Sequence, residues 1–206
     1  METTSIFART LTTLTVSAVD LVRDEYSKGL TFASNGDGTC SVSGIGTCTD
    51  ANIKIPSVHN GEKVTSIGEY AFSGCTGLTS VTIPNGVMSI GLSAFGNCAG
   101  LKSVVMPNSL TSIDYFAFEN CSSLTDIHIP NGVTSIGGYA FAGCTGLQNI
   151  AIPDGVTTIR RRAFSGCSGL TSVTIPNSVK SIGDYAFKGC TGIKNITIGN
   201  GISLEF

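Results

Sequence analysis

The chain has 206 residues, a formal net charge of -2 and 13% charged residues, whereas ordinary soluble domains have about a quarter. This weak negative charge gives no reason to expect binding to nucleic acid or to an anionic membrane surface. No apolar run in the sequence approaches the roughly 20 residues needed to cross a bilayer, so no membrane span is predicted.

Residues 1–52 precede the regular part of the chain, and we predict that they form an N-terminal cap. Phe7, Leu11, Leu14 and Ala18 fall on helical spacing, which favours a helix. Threonines interrupt the apolar residues of this stretch, whereas a signal peptide needs a continuous apolar centre. We therefore expect a folded segment here, with a signal peptide as the alternative.

The second half of the cap carries the signature of a β-hairpin. Residues 30–33 and 39–43 read as strands on either side of an Asn-Gly-Asp-Gly turn signal. Cys40 and Cys48 also lie in this part of the chain, and they either pair as a disulfide or stay free.

From residue 53 to residue 206 the sequence repeats with a period of 23 residues. Alanine, phenylalanine, isoleucine and proline columns keep this spacing, and so does a column of six cysteines. The cysteine column consists of Cys75, Cys98, Cys121, Cys144, Cys167 and Cys190. A fixed period of this length predicts stacked supersecondary units, here about six coils with the last one incomplete.

The coil formed by residues 78–100 illustrates the predicted structure. Alternating apolar residues favour a short inward-facing strand, which Pro84 ends because proline cannot donate to a ladder. A second extended piece ends at Ile90. Phe95 and Cys98 then fall on helical spacing, so we predict a short helical turn before the next coil begins.

One column between the phenylalanine and the cysteine of each coil contains only glycine and asparagine. These residues tolerate positive φ, so we predict a left-handed residue at the end of each turn. The column consists of Gly74, Asn97, Asn120, Gly143, Gly166 and Gly189.

The cysteine column is predicted to be a row of buried free thiols. In a parallel stack, equivalent side chains point the same way, and parallel Cβ vectors suit a disulfide badly. A free cysteine also behaves as a small buried hydrophobe. One cysteine per coil cannot converge on a metal tetrahedrally, so no metal site is expected in this column.

The coil pattern LxxVxIPxxVxxIGxxAFxxCxG, in phase through residues 53–202, strongly resembles the BspA-like leucine-rich repeats, also called the Treponema pallidum type. The resemblance implies a repeat solenoid of parallel β-strands with short helical turns. It also implies a non-enzymatic binding role, since members are mostly surface or secreted proteins of mucosa-dwelling bacteria and protozoa, several of them adhesins. We therefore expect a cell-surface or secreted protein, with an intracellular location as the alternative because the sequence shows no clear signal peptide.

The sequence favours a protein without catalysis, cofactor or metal. Asp126 and His128 alternate on one predicted strand and face outward, but no third ligand or nucleophile–base pair converges on them. Glycines are plentiful, yet no phosphate-binding glycine motif opens a helix.

Two adjacent columns vary while nearly all others are fixed, and they carry aromatic residues and both signs of charge. Tyrosine and arginine are enriched in interface hot spots, so we predict a binding edge here, with neutral variation at solvated positions as the alternative. The residues of this candidate edge are Glu69, Tyr70, Leu92, Tyr115, Phe116, Tyr139, Arg160, Arg161, Arg162, Asp184 and Tyr185.

The outward face of the strands is a second and more uniform candidate surface. Its candidate binding residues are Lys102, Asp126, His128, Gln148, Asn149 and Lys194.

These patterns favour a protein-binding solenoid, adhesin-like or active in host interaction, with a host or extracellular-matrix protein as partner. One alternative is a structural module that self-associates through an open C-terminal end, since an unpaired apolar edge invites association. The other is a carbohydrate-binding surface protein that uses Tyr115, Phe116, Tyr139 and Tyr185 as stacking platforms.

Overall fold

A computed structural model describes residues 26–202, and the predicted N-terminal helix lies outside these residues. Strands and turns make up the described part, which contains no helix. The strands are β1 (Thr31–Ser34), β2 (Thr39–Gly44), β3 (Asn52–Lys54), β4 (Val58–His59), β5 (Glu62–Ile67), β6 (Ser80–Thr82), β7 (Ser89–Ile90), β8 (Ser103–Val105), β9 (Ser112–Ile113), β10 (Ser135–Ile136), β11 (Asn149–Ala151), β12 (Thr158–Ile159), β13 (Ser172–Ile175), β14 (Ser181–Ile182) and β15 (Asn195–Ile198).

The chain winds as a parallel β-solenoid of about seven turns, which confirms the predicted fold class. Residues one period apart are partners, such as Val81 with Val104 in β6 and β8 and Ile90 with Ile113 in β7 and β9. One side of the solenoid carries the sheets β3-β6-β8 and β11-β13-β15. The other side carries β5-β7-β9-β10 and the pair β12-β14.

The predicted hairpin is present and joins the solenoid directly. Strand β1 pairs with β2 in antiparallel fashion, and β2 then pairs with β5 in parallel. The hairpin therefore adds a rung to the same sheet. Its burial of Cys40 and Val42 continues the core beyond the first repeat. The division of the chain into a cap and an array at residues 52 and 53 stays a prediction.

Where the sequence predicts short helical turns, the structure has runs of hydrogen-bonded turns. Their N–H groups donate alternately to a carbonyl of the next coil and to a carbonyl of the same coil. The N–H of Phe72 donates to the carbonyl of Ala94 in the next coil at 2.7 Å. The following N–H, from Ser73, donates within its own coil to the carbonyl of Tyr70 at 3.0 Å. An α-helix needs every N–H for bonds along its own axis, so this alternation between coils excludes a helix.

The glycine and asparagine column has the predicted left-handed backbone in all six coils. Its φ angles run from 57° at Asn120 to 78° at Gly166. A left-handed residue is needed here because the chain must reverse after the turn and start the next inward strand.

The core is a continuous column of side chains from successive coils. Five phenylalanines from Phe72 to Phe164 are fully buried, and neighbouring rings stack with centroids 5.1 to 5.5 Å apart. This spacing exceeds the about 4.8 Å between paired strands, so the coils spread slightly on the turn side.

The row of free thiols is also confirmed, but its two end members, Cys75 and Cys190, are only half-buried. Cys98, Cys121, Cys144 and Cys167 are buried, and each thiol donates to the carbonyl of a phenylalanine in the preceding coil at 2.9 to 3.1 Å. Burial raises the pKa of Cys98 and Cys144 to about 12, so both stay protonated at neutral pH. Cys40 and Cys48 are free thiols as well, so the disulfide that was an alternative is not formed.

We expect Phe141→Ala to lower the free energy of unfolding by about 3 to 5 kcal/mol, because it removes a fully buried ring from the middle of the stack. Chemical denaturation followed by circular dichroism measures this. Phe116→Ala is the matched control: its ring lies half-buried outside the core and should cost clearly less. Equal losses of unfolding free energy in the two variants would contradict a core that depends on the column of buried phenylalanine rings.

Candidate binding edge

One column of the candidate edge has a left-handed backbone in every coil, which the sequence analysis missed. The φ angle is 57° at Tyr70, 58° at Phe116, 61° at Tyr139 and 60° at Tyr185. Such a conformation is costly for bulky residues, by roughly 1 kcal/mol or more each. The sequence did contain a signal, since this column contains no valine, isoleucine or threonine, for which positive φ is least acceptable.

The left-handed column aligns its side chains in one continuous stack over four coils. The rings of Phe116 and Tyr139 stack with centroids 4.8 Å apart. The guanidinium of Arg162 follows, 5.5 Å from the centre of the Tyr139 ring and 5.3 Å from that of Tyr185. The ammonium of Lys188 lies 5.0 Å from the Tyr185 ring on the same edge.

Arg162 is the central member of this stack. Its guanidinium lies between two aromatic rings, where the ring quadrupoles attract the positive charge. Its Nε is buried and has no hydrogen-bond partner among the described residues, so the two rings are the main stabilising contacts of this cation. Replacement of this arginine should therefore affect the order of both neighbouring tyrosines.

Tyr115 forms a separate clamp with Arg160, two coils further along. The Arg160 Nη1 donates to the Tyr115 hydroxyl at 3.2 Å, and the guanidinium lies 5.7 Å from the ring centre. The Tyr115 ring can reach across the intervening coil to Arg160 because that coil has Gly138, which carries no side chain, at the equivalent position. A Cβ added there would lie 3.0 Å from the ring.

The remaining edge residues are less connected. Glu69, Arg161 and Asp184 are exposed, and Leu92 is half-buried. Tyr70 is 57% exposed but stays outside the stack, because Ser93 occupies the left-handed position in the coil between it and Phe116. The structure thus gathers the aromatic and cationic residues of coils three to six and leaves the first two apart.

The second candidate surface is interrupted. Lys102, Asp126 and His128 line a shallow hollow of about 300 Å³. The segment that carries Asp126 and His128 forms no strand, so it separates the sheet β3-β6-β8 from the sheet β11-β13-β15 on this face. The other three candidates, Gln148, Asn149 and Lys194, are exposed further along the same face.

Within residues 26–202 no group of three or more histidine, cysteine, aspartate or glutamate side chains is placed to bind a metal ion. The same residues include no helix that is long and apolar enough to cross a membrane.

We expect Arg162→Met to lower the free energy of unfolding by about 1 to 2 kcal/mol, because it removes two cation–π contacts and keeps a side chain of similar length. Arg161→Met is the matched control, since that exposed neighbour contacts no ring and should change stability by less than about 0.5 kcal/mol. Thermal and denaturant unfolding measure both. Identical behaviour of the two variants would mean that the stack contributes nothing.

Comparison with solved structures identifies close relatives of this fold. A T. pallidum leucine-rich repeat protein superposes with a TM-score of 0.78 at 30% identity, covering 85% of this chain and 81% of that one. A leucine-rich repeat protein from Bacteroides ovatus gives a TM-score of 0.63 at 31% identity, covering 85% and 53% of the two chains. The pneumococcal vaccine antigen PcpA shares the fold at 20% identity, with a TM-score of 0.57 and coverage of 85% and 48%.

A search of curated proteins gives no significant match. The family described as BspA type leucine rich repeat region matches residues 44–171 and 118–204, with six copies. Together the two matched regions run from residue 44 to residue 204 and include the 23-residue repeats that form the solenoid. The chain therefore belongs to the BspA type leucine-rich repeat family, a family of repeat scaffolds.

Proposed function

We propose that this protein is a non-enzymatic protein-binding solenoid, an adhesin-like or host-interaction module, that binds its partner along the candidate edge. Membership of a repeat-scaffold family supports a role in interaction. The observation that carries the proposed location is the stack of Phe116, Tyr139, Arg162 and Tyr185 across four successive coils.

The stack suits a protein partner because it is ordered before binding. Each member is held by its left-handed backbone and by the ring or cation next to it. Binding would then cost little further side-chain entropy, which is a main expense of association. The stack also keeps accessible surface, since the Tyr185 side chain is 53% exposed. Tyrosine and arginine are among the residues enriched in the hot spots of protein interfaces.

Charge favours an acidic surface on the partner. Three consecutive arginines, Arg160 to Arg162, lie in one coil, and Lys188 extends the positive charge past Tyr185. Asp184 is the one acidic edge residue in the neighbouring coil. We expect the association rate to fall as salt concentration rises, since rim charges act mainly on encounter.

The proposed partner is a host or extracellular-matrix protein, and the proposed location is the cell surface or the medium. Self-association is a second candidate function. It is favoured by three isoleucines of the last described strands, Ile182, Ile196 and Ile198, which are 39%, 52% and 55% exposed.

The test compares a triple variant with the parent protein. We expect Tyr139→Ala, Arg161→Ala and Arg162→Ala together to weaken partner binding at least about 100-fold, because hot-spot residues carry most of the affinity. Partners are retained from an extracellular-matrix extract on the immobilised protein and identified by mass spectrometry. The affinity of the purified partner is then measured by surface plasmon resonance.

The matched control is a triple alanine variant of the strand face at Gln148, Asn149 and Lys194, which should bind as the parent does. Circular dichroism must show both variants folded. Unchanged affinity in the edge variant would refute the edge as the binding surface, and retention of no protein would refute protein binding. Light scattering on the same samples tests self-association, which a strict monomer excludes.

A further inference from the structure

A polar hollow of about 320 Å³ lies next to the stack, between strands β7, β9 and β10, and the candidate-edge residues Tyr115 and Arg160 line it. It exists because Gly91 and Gly137 carry no side chains where the coils approach each other. A Cβ at Gly137 would lie 2.3 Å from the backbone nitrogen of Tyr115, so a side chain cannot fill the space. The volume is at the lower end of the about 300 to 1,000 Å³ typical of small-molecule sites.

Three serine hydroxyls form one wall of the hollow. Ser89, Ser112 and Ser135 occupy the same register position in consecutive strands, so their side chains repeat about every 4.8 Å. No hydrogen-bond partner satisfies these hydroxyls within the part of the chain that the structure describes. In two later coils the equivalent hydroxyls of Thr158 and Ser181 bond to each other at 3.2 Å. The wall therefore presents donors and acceptors that are free for a ligand.

Opposite charges complete the hollow. The column that contains Gly91 and Gly137 has side chains at two positions only, Asp114 and Arg160, and both line this hollow. One Asp114 carboxylate oxygen accepts the N–H of Tyr115 at 2.7 Å, which fixes the group and leaves its second oxygen as an acceptor. Arg160 uses one N–H on the Tyr115 hydroxyl and keeps four others.

We infer that this hollow binds a neutral saccharide unit. The formal charges of Asp114 and Arg160 cancel, which disfavours a ligand with net charge. Adjacent sugar hydroxyls can donate to the Asp114 carboxylate, accept from the Arg160 guanidinium and do both with the serines. An apolar anchor of a protein partner would leave these polar groups desolvated without hydrogen bonds, at a cost that disfavours it. The site is distinct from the stack proposed to bind protein.

The experiment titrates the intact protein with separate neutral monosaccharides, namely glucose, galactose, mannose, fucose and N-acetylglucosamine, followed by NMR chemical shifts. We expect at least one of them to bind with a dissociation constant in the millimolar range. Asp114→Asn should raise that constant about tenfold or more, because a hydrogen bond to a charged acceptor becomes one to a neutral amide. Asp184→Asn, the same change at an exposed edge carboxylate outside the hollow, should leave it unchanged.

Ser112→Val is a second variant, which removes the middle hydroxyl of the wall. Valine is favoured in strands, so this variant tests the hollow even if Asp114→Asn fails to fold. It too should weaken sugar binding, and its unfolding midpoint shows that it is folded. Absence of binding for all five sugars at tens of millimolar would overturn the inference. Sugar binding that both hollow variants leave intact, or occupation of the hollow by a peptide partner alone, would overturn it as well. Loss of protein binding in the edge variant bears only on the stack.

Discussion

This structure depends on the hydrogen bonds that join the turn of each coil to the turn of the next coil. Alternate N–H groups of the turn donate to the next coil, as Phe141 does to Ala163 at 2.8 Å, while those between them close the turn. This arrangement excludes a helix and fixes the distance between neighbouring coils. It also requires left-handed residues at two places per turn, one held by glycine or asparagine and the other by the edge column.

The candidate surfaces follow from that geometry. Because the edge column is left-handed in each coil, its side chains align and can stack, and the identity of each residue decides what the stack contains. Phe116, Tyr139, Arg162 and Tyr185 make it aromatic and cationic, whereas Ser93 interrupts it. The adjacent hollow depends on a different column of the repeat. In that column Asp114 and Arg160 carry charged side chains, whereas the other coils have glycine.

The repeat columns made the solenoid, the thiol row and the glycine and asparagine turns predictable, since each of these repeats a residue type whose physical role is specific. The edge was predictable as a variable strip, but its contacts were not. The bond from Arg160 to Tyr115 spans two coils and depends on the missing side chain of Gly138, which no local pattern reveals. The hollow was missed because its serines look like ordinary surface residues, and the helical turns were predicted wrongly because spacing alone cannot show where an N–H donates.

The most direct test of this account is alkylation of the native protein with iodoacetamide, with each cysteine followed by mass spectrometry. Stacked coils seal the thiols of Cys98, Cys121, Cys144 and Cys167, and burial raises the pKa of the first three. We expect these four thiols to react only when the whole chain unfolds, long after the half-buried Cys48. Modification of any of the four at the rate of Cys48 in the folded protein would contradict it.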